Sequence, residues 1–239
     1  MGKALLAFVL LLQATDDKAA VETAIKNFNK AVANPSPAAR ATALLELSKT
    51  PHDRTLKVIS KYLMSDVTDV RVAAAKSMIE FGDWKKIVTP TLASALQSNE
   101  KDAKVQMAIL EAIGKLADPA SMQTVHGNFR DADARVAKSA IGAAGAMRQK
   151  ESMDALLELQ TDVQKWLKNK QAGPYRDEKG QPGDENACKT RLDDIQKTII
   201  KAFQDITKER WATANEWEIW WGKKKATFEI PKDDKKDSK

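Results

Sequence analysis

A single cysteine, Cys188, stands in 239 residues, so no disulfide can close within the chain and its stability has to come from packing. Histidine is nearly as scarce. His52 and His126 are the only two, neither sits at a metal-ligand spacing, and the chain shows neither a nucleophile elbow nor a glycine-rich phosphate loop. These absences argue against a conventional hydrolase and leave no catalytic, metal or cofactor residues to nominate, so the expectation is a protein that is not an enzyme. Tyrosine (two) and phenylalanine (six) are few while alanine recurs throughout, which implies an interior of small residues across which helices approach closely. Charge of one sign does not dominate either. The 39 basic and 33 acidic residues are mixed along the chain to a net +6, the pattern of solvated helix faces rather than of the long one-signed field that nucleic-acid binding uses.

Long apolar runs are missing except at the start, where Met1, Gly2 and Lys3 precede an unbroken stretch from Ala4 to Leu12 and the small residue Ala14 precedes Thr15-Asp16-Asp17. A positive n-region, an apolar h-region and a small residue at the cut point predict a signal peptide over 1–14, and with it export to the periplasm or medium. The run is far short of the ~20 residues a helix needs to span a bilayer, and no cysteine follows it for lipid attachment. At the other end, 231–239 carries mixed charge without apolar anchors and reads as a disordered tail.

Between these ends the chain repeats itself. Asp69-Val70-Arg71-Val72, Asp102-Ala103-Lys104-Val105 and Asp133-Ala134-Arg135-Val136 share one pattern at starts 33 and 31 residues apart, each opening an alanine-rich stretch that runs to Gly82, Gly114 or Gly145. Arg40, 31 residues before Arg71, opens a weaker copy in Ala41, Ala43, Leu44, Leu45 and Leu47. Val105, Ala108, Ile109, Ala112, Ile113 and Leu116 follow helical spacing, as do Val136, Ala140, Ala143 and Ala144. Each Asp is expected to cap its helix, and each glycine to allow a left-handed end. Second amphipathic helices are expected at about 54–64, 84–96 and 120–129; Pro51 and Pro119 suit helix starts, whereas Pro90 is expected to kink or delay its helix.

Two antiparallel helices per period of about 32 residues, with a basic-Val pair and alanines in the second, resemble HEAT repeats, particularly the short bacterial kind. The resemblance covers about Asp16 to Ile206 and is strongest from His52 to Gly145. It implies an all-α fold, an α-α superhelix of about five helix pairs, with the second helices on the concave, binding side. Tetratricopeptide units have a similar period but lack their characteristic residues here. Arg40, Arg71, Lys104 and Arg135 then have two readings: a ladder of charged hydrogen bonds between neighbouring repeats, or a basic stripe that engages a partner's acidic groups.

The repeat domain is placed at 15–206, with an insertion over 171–186 rich in proline, glycine and charge. A small hairpin turning at Lys179-Gly180 is expected there, with Tyr175 and Arg176 as candidate partner contacts because loops on a rigid scaffold often carry recognition. The ordered acidic spacing of a calcium loop is absent. Trp211, Trp217, Trp220 and Trp221 fall in 207–230, three of them on one helical face. They are expected to cover the apolar side of the last repeat as a C-terminal cap, and the Trp-x-x-Trp-Trp segment resembles the close of bacterial exported HEAT-repeat proteins.

The function these readings favour is a non-catalytic, protein-binding scaffold of the cell envelope, a monomer with no cofactor. Two alternatives remain. Lys165, Lys168 and Lys170, with Lys223, Lys224 and Lys225, would suit a basic adapter for an anionic polymer or membrane surface. A HEAT-like DNA glycosylase would be similarly sized, basic and helical, although an export signal would separate it from DNA; a phycobilin-lyase-like role shares the repeat type.

Overall fold

A computed structural model describes residues 18–232; the leader expected at 1–14 and the tail beyond 232 lie outside the described residues. Eleven helices account for most of the described chain, and no strand is present among the described residues. They are α1 (18–32), α2 (Pro37–Ser48), α3 (Asp53–Lys61), α4 (Thr68–Ser77), α5 (Lys85–Ser98), α6 (Ala103–Leu116), α7 (Met122–Gly127), α8 (Ala134–Met147), α9 (Ser152–Lys168), α10 (Glu185–Thr207) and α11 (Ala214–Lys224). Taken in order, α1 to α10 form five helix pairs and α11 follows as an extra helix. Residue contacts gather the chain into two compact units whose sequence boundary falls between Ile109 and Leu110, inside α6.

In the first unit α2 packs on α4 and α3 lies against both, so the second helices of consecutive pairs stack on one another. The second unit repeats the scheme: α8 packs on α10, α7 covers α8, and α9 covers α10. The predicted stripes are the core. Val105, Ile109, Ala112 and Ile113 of α6 and Val136, Ala140 and Ala144 of α8 are fully enclosed.

Local chemistry explains where the helices start. His52, not Pro51, caps α3: its Nδ1 accepts the Arg54 N–H at 3.1 Å, and Thr55 Oγ1 accepts the His52 N–H at 3.0 Å, a reciprocal box that satisfies donors the helix cannot. Asp118 caps the short 3-10 turn Pro119–Ser121, accepting the Ala120 N–H at 3.2 Å, and Pro119 takes the first position, where its missing N–H has no consequence. Pro90 sits inside α5 without ending it. The delay comes before the helix, in the 3-10 segment Met78–Trp84, where Phe81 leaves helical geometry.

Two expectations about the repeats are corrected. Asp102 and Asp133 do cap their helices, with Asp102 Oδ1 accepting the Val105 N–H at 3.3 Å and Asp133 Oδ1 the Arg135 N–H at 2.8 Å. Asp69 does not, because α4 begins at Thr68 and places it inside the first turn, where its charge still complements the helix dipole. The glycines do not terminate helices: Gly114 lies within α6 and Gly145 within α8, and the left-handed positions are Ala117 (φ 50°) and Arg148 (φ 51°), three residues further on in each case. What the glycines supply is proximity. A Cβ on Gly114 would lie 2.8 Å from the Ala143 Cα, and one on Gly145 would lie 3.0 Å from the Ala202 Cα, so α6 meets α8 and α8 meets α10 backbone to backbone.

Candidate partner-binding site

The basic residues of the repeat were the first candidates, and three of the four are engaged internally. Arg40 holds Asp66 in a two-pronged pair, Nε to Oδ2 at 2.9 Å and Nη2 to Oδ1 at 2.7 Å, and reaches the Pro35 carbonyl at 2.6 Å. Hydrogen bonds from this guanidinium hold the Asp66 carboxyl below the usual carboxylate range. Arg71 reaches forward one repeat: Nη2 donates to Asp102 Oδ2 at 2.8 Å and Nη1 to Asn99 Oδ1 at 2.5 Å, while the Thr68 hydroxyl donates to the same Asp102 oxygen at 2.6 Å. Asp102 therefore caps α6 with one oxygen and receives Arg71 with the other. Asn99, 2% exposed, extends the rung by donating to the Leu63 and Ala95 carbonyls at 3.0 and 2.7 Å.

Within the second unit the pattern changes. Arg135 turns back on its own cap, Nε to Asp133 Oδ1 at 3.0 Å and Nη2 to Oδ2 at 2.7 Å, and its Nη1 reaches Glu178 of the insertion at 2.8 Å. Burial of Asp133 favours its protonated form, but these bonds outweigh that and its pKa lies below the ordinary value. Lys104 is exposed and has no ion pair among the described residues. Arg40 and Arg71 thus tie neighbouring helix pairs together, while Lys104 stands out in solvent. Both rungs are part-buried and run between a helix of one pair and the start of the next, so they fix the register between those pairs. Asp66, Asn99 and Glu178 were missed by sequence reasoning. Asp66 lies three residues before the Asp of the repeated pattern and Glu178 lies in the insertion, so neither falls on that pattern; the 33-residue spacing of Asp66 and Asn99 was the signal that could have found the first.

The insertion is docked instead of projecting. Tyr175, expected at a partner surface, is 1% exposed; its hydroxyl donates to the Phe129 carbonyl at 3.0 Å and its ring meets Trp166 edge-on at 6.0 Å. Burial pushes its phenol well above the usual range. Arg176 fixes the backbone beside it: its N–H donates to the Ala132 carbonyl at 2.6 Å, and its own carbonyl accepts from Ala134 at 3.4 Å. The expected hairpin reduces to a turn, in which Asp177 Oδ1 accepts the N–H groups of Lys179 and Gln181 and Gly180 adopts φ +75°. The one bridge in this stretch pairs Arg176 with Asp133, so the loop answers to the start of α8, not to itself.

The tryptophans occupy the other end of this unit. A capping box between Thr213 and Glu216 starts α11, with Glu216 Oε2 accepting the Thr213 N–H at 2.8 Å; the Thr-x-x-Glu spacing carried that signal in the sequence. Trp217 is fully enclosed, tilted on the Phe203 ring of α10 at 5.0 Å, and its Nε1 donates to the Trp211 carbonyl at 3.1 Å. Trp221, 3% exposed, donates to Asp154 Oδ1 of α9 at 2.9 Å, and Lys225 reaches Asp154 Oδ2 at 2.8 Å. Trp220 is half-buried between Trp217, Trp221 and Phe228. Trp211 is half-buried too, and its indole N–H has no partner among the described residues.

His126 supplies a pH-sensitive contact between α7 and α9. Its Nε2 lies 2.9 Å from the Oγ of the fully buried Ser152, its ring is tilted on Phe129 at 5.1 Å, and burial lowers its pKa. The folded protein therefore prefers the neutral ring, and the unfolded chain takes up a proton first as pH falls below the ordinary histidine value of 6.5. His126 contributes stability in full above that value and loses it as pH falls through the lowered folded value. Thermal melting at pH 7 and pH 5 is expected to show a drop that shrinks in His126→Gln; an equal drop in both proteins would show that His126 does not cause it.

An all-α protein of consecutive helix pairs, tied in its first unit by arginine–aspartate rungs, is the class these elements define. Residues 89–171 match the family model described as HEAT repeats, a span that begins within α5 and ends just after α9. No curated protein matches the chain.

Proposed function

We propose that this chain is a non-catalytic scaffold that binds another protein, exported to the cell envelope or beyond after loss of its leader. The observation that carries the reading is the match of 89–171 to HEAT repeats together with the helix pairs themselves, since repeats of this type generally mediate protein interactions. Within each unit the packed helices offer a preformed surface, which lowers the entropic cost of association. Among the repeat residues Lys104 is left to solvent, while Arg40 and Arg71 tie neighbouring pairs and Arg135 holds its own cap and the insertion.

A basic adapter is the second reading, and the exposed Lys165, Lys168, Lys223 and Lys224 favour it. Against it, each cluster is interrupted by an internal pair, Lys170 with Glu185 at 3.0 Å and Lys225 with Asp154 at 2.8 Å. Affinity capture with the full chain from its native envelope, eluted across a salt gradient, separates the two. The scaffold reading expects a protein retained at moderate salt; release of anionic polymer or lipid alone at low salt would replace it with the adapter. Excision of alkylated bases from DNA by the purified chain would overturn both.

A further inference from the structure

The first helix pair is open on one side. A cavity of about 710 Å³ runs between α1 and α2, with Phe28 and Leu47 as its floor and Ala24, Ala31, Ala38 and Ala39 as its walls. The floor residues are buried, while Ala31 and Ala38 stand exposed. The floor is fixed from behind: the Phe28 ring meets Tyr62 edge-on at 5.6 Å, and Glu22 of α1 pairs with Arg54 of α3 at 3.4 Å. Glu46 is the charged residue of the lining, and Lys49 matches it at 2.7 Å. The groove is therefore preformed and apolar, and its lining carries no unmatched charge. After the last pair the chain supplies its own cover, α11, with Trp217 enclosed against Phe203 of α10; before the first pair no described helix does so.

The segment directly preceding α1 has the composition and reach to fill this place. Ala4 to Leu12 is an uncharged run of nine residues, seven of them Leu, Phe or Val, and seating it on a floor of Phe28 and Leu47 removes apolar surface from water on both sides. Its bulky side chains would meet alanines on the walls, the large-against-small fit that close packing requires. Five residues, Gln13 to Asp17, join the run to the start of α1. Extended, they reach ~16 Å, whereas the helical stretch from 18 to Ala24 is ~9 Å long. Nine residues in a helix measure ~13 Å and the groove from Ala24 to Ala31 ~10 Å, so run and groove match in length. We infer that Ala4 to Leu12 folds back along α1 and fills the groove between α1 and α2. The short tether holds this occupant at high effective concentration, ahead of any free competitor. The contact goes beyond the scaffold reading: the groove is closed in the chain that carries its leader, and loss of residues 1–14 uncovers it.

Disulfide capture on the full chain, synthesised without membranes so that residues 1–14 are retained, tests the contact. In a Cys188→Ser background, Ala7→Cys is combined either with Ala31→Cys, on the groove wall, or with Lys26→Cys, exposed on α1 two residues from Ala24 and so turned away from the groove. A disulfide needs Cα atoms within ~7 Å. The tether alone gives both combinations similar effective concentrations, so a first combination that closes about tenfold faster than the second, as a monomer, is the expected sign of docking. Adding Phe8→Asp and Leu11→Asp, which alter none of the described residues, should bring the first combination down to the rate of the second. Equal rates in the two combinations, or a fast rate that survives the two aspartates, would overturn the proposal. Disulfide-linked dimers in place of closed monomers would overturn it as well, by giving the groove to the run of a second copy. Partner capture is a separate readout, so failure here leaves the scaffold reading standing.

Discussion

Replacing Trp217 with alanine is expected to cost about 3–5 kcal/mol, the range for truncating a fully enclosed large aromatic. The ring has no exposed surface, lies tilted on Phe203 at 5.0 Å, stands edge-on to Trp220 at 5.7 Å, and donates its indole N–H to the Trp211 carbonyl. Burying a ring of this size removes ~150–250 Å² from water, worth roughly 4–6 kcal/mol at ~25 cal/mol per Å². Both routes give the same scale. Because α11 packs on α9 and Phe203 belongs to α10, the loss strips the cover from the last helix pair. Circular dichroism on heating should show Tm lower by roughly 6–20 °C for a chain of this length. Trp220→Ala, at a half-buried position, should cost distinctly less. A Trp217→Ala protein that melts within a degree or two of the parent would show that α11 is not part of the folded core.

Gly114→Ala is expected to destabilise by about 1–2 kcal/mol even though alanine is the better helix former. Alanine in a helix interior gains ~1 kcal/mol over glycine, but the added Cβ would stand 2.8 Å from the Ala143 Cα and 3.1 Å from its Cβ. The obstacle is backbone, which moves only if α6 and α8 separate, and overpacking of this kind costs ~1–3 kcal/mol or more. Gly142, inside α8, provides the opposite case. A Cβ there meets nothing within 4 Å, so Gly142→Ala should stabilise by ~1 kcal/mol from propensity alone. Urea unfolding of the two variants should move the midpoint in opposite directions. Movement in the same direction would mean that contact between α6 and α8 is looser than the structure places it.

Much of the fold was readable from residue order because it rests on short-range rules. The helical stripe of Val105, Ile109 and Ile113 required only spacing, and the Asp102 and Asp133 caps only the fit of a carboxylate to free N–H groups at a helix start. The misreadings share a different origin. Asp69 matches the repeated pattern as well as Asp102 does, yet Arg40 pairs with Asp66, because the start of α4 sets which carboxylate faces that arginine. Tyr175 sits in a polar, proline- and glycine-rich stretch that reads as a projecting loop. Its burial depends on Phe129 and Trp166, 46 and 9 residues away in sequence, and neither bears a mark of the contact.

The sequence by itself determined that this protein is built of helices in repeated pairs, that alanine and valine form its interior, and that tryptophan lies after the last pair. Tertiary structure alone decided what the glycines are for, which acidic group each arginine holds, and that the insertion is bound down. The reason is physical: a helix and its caps are fixed by neighbours within about one turn, whereas the closeness of two backbones is a property of the pair of surfaces that meet.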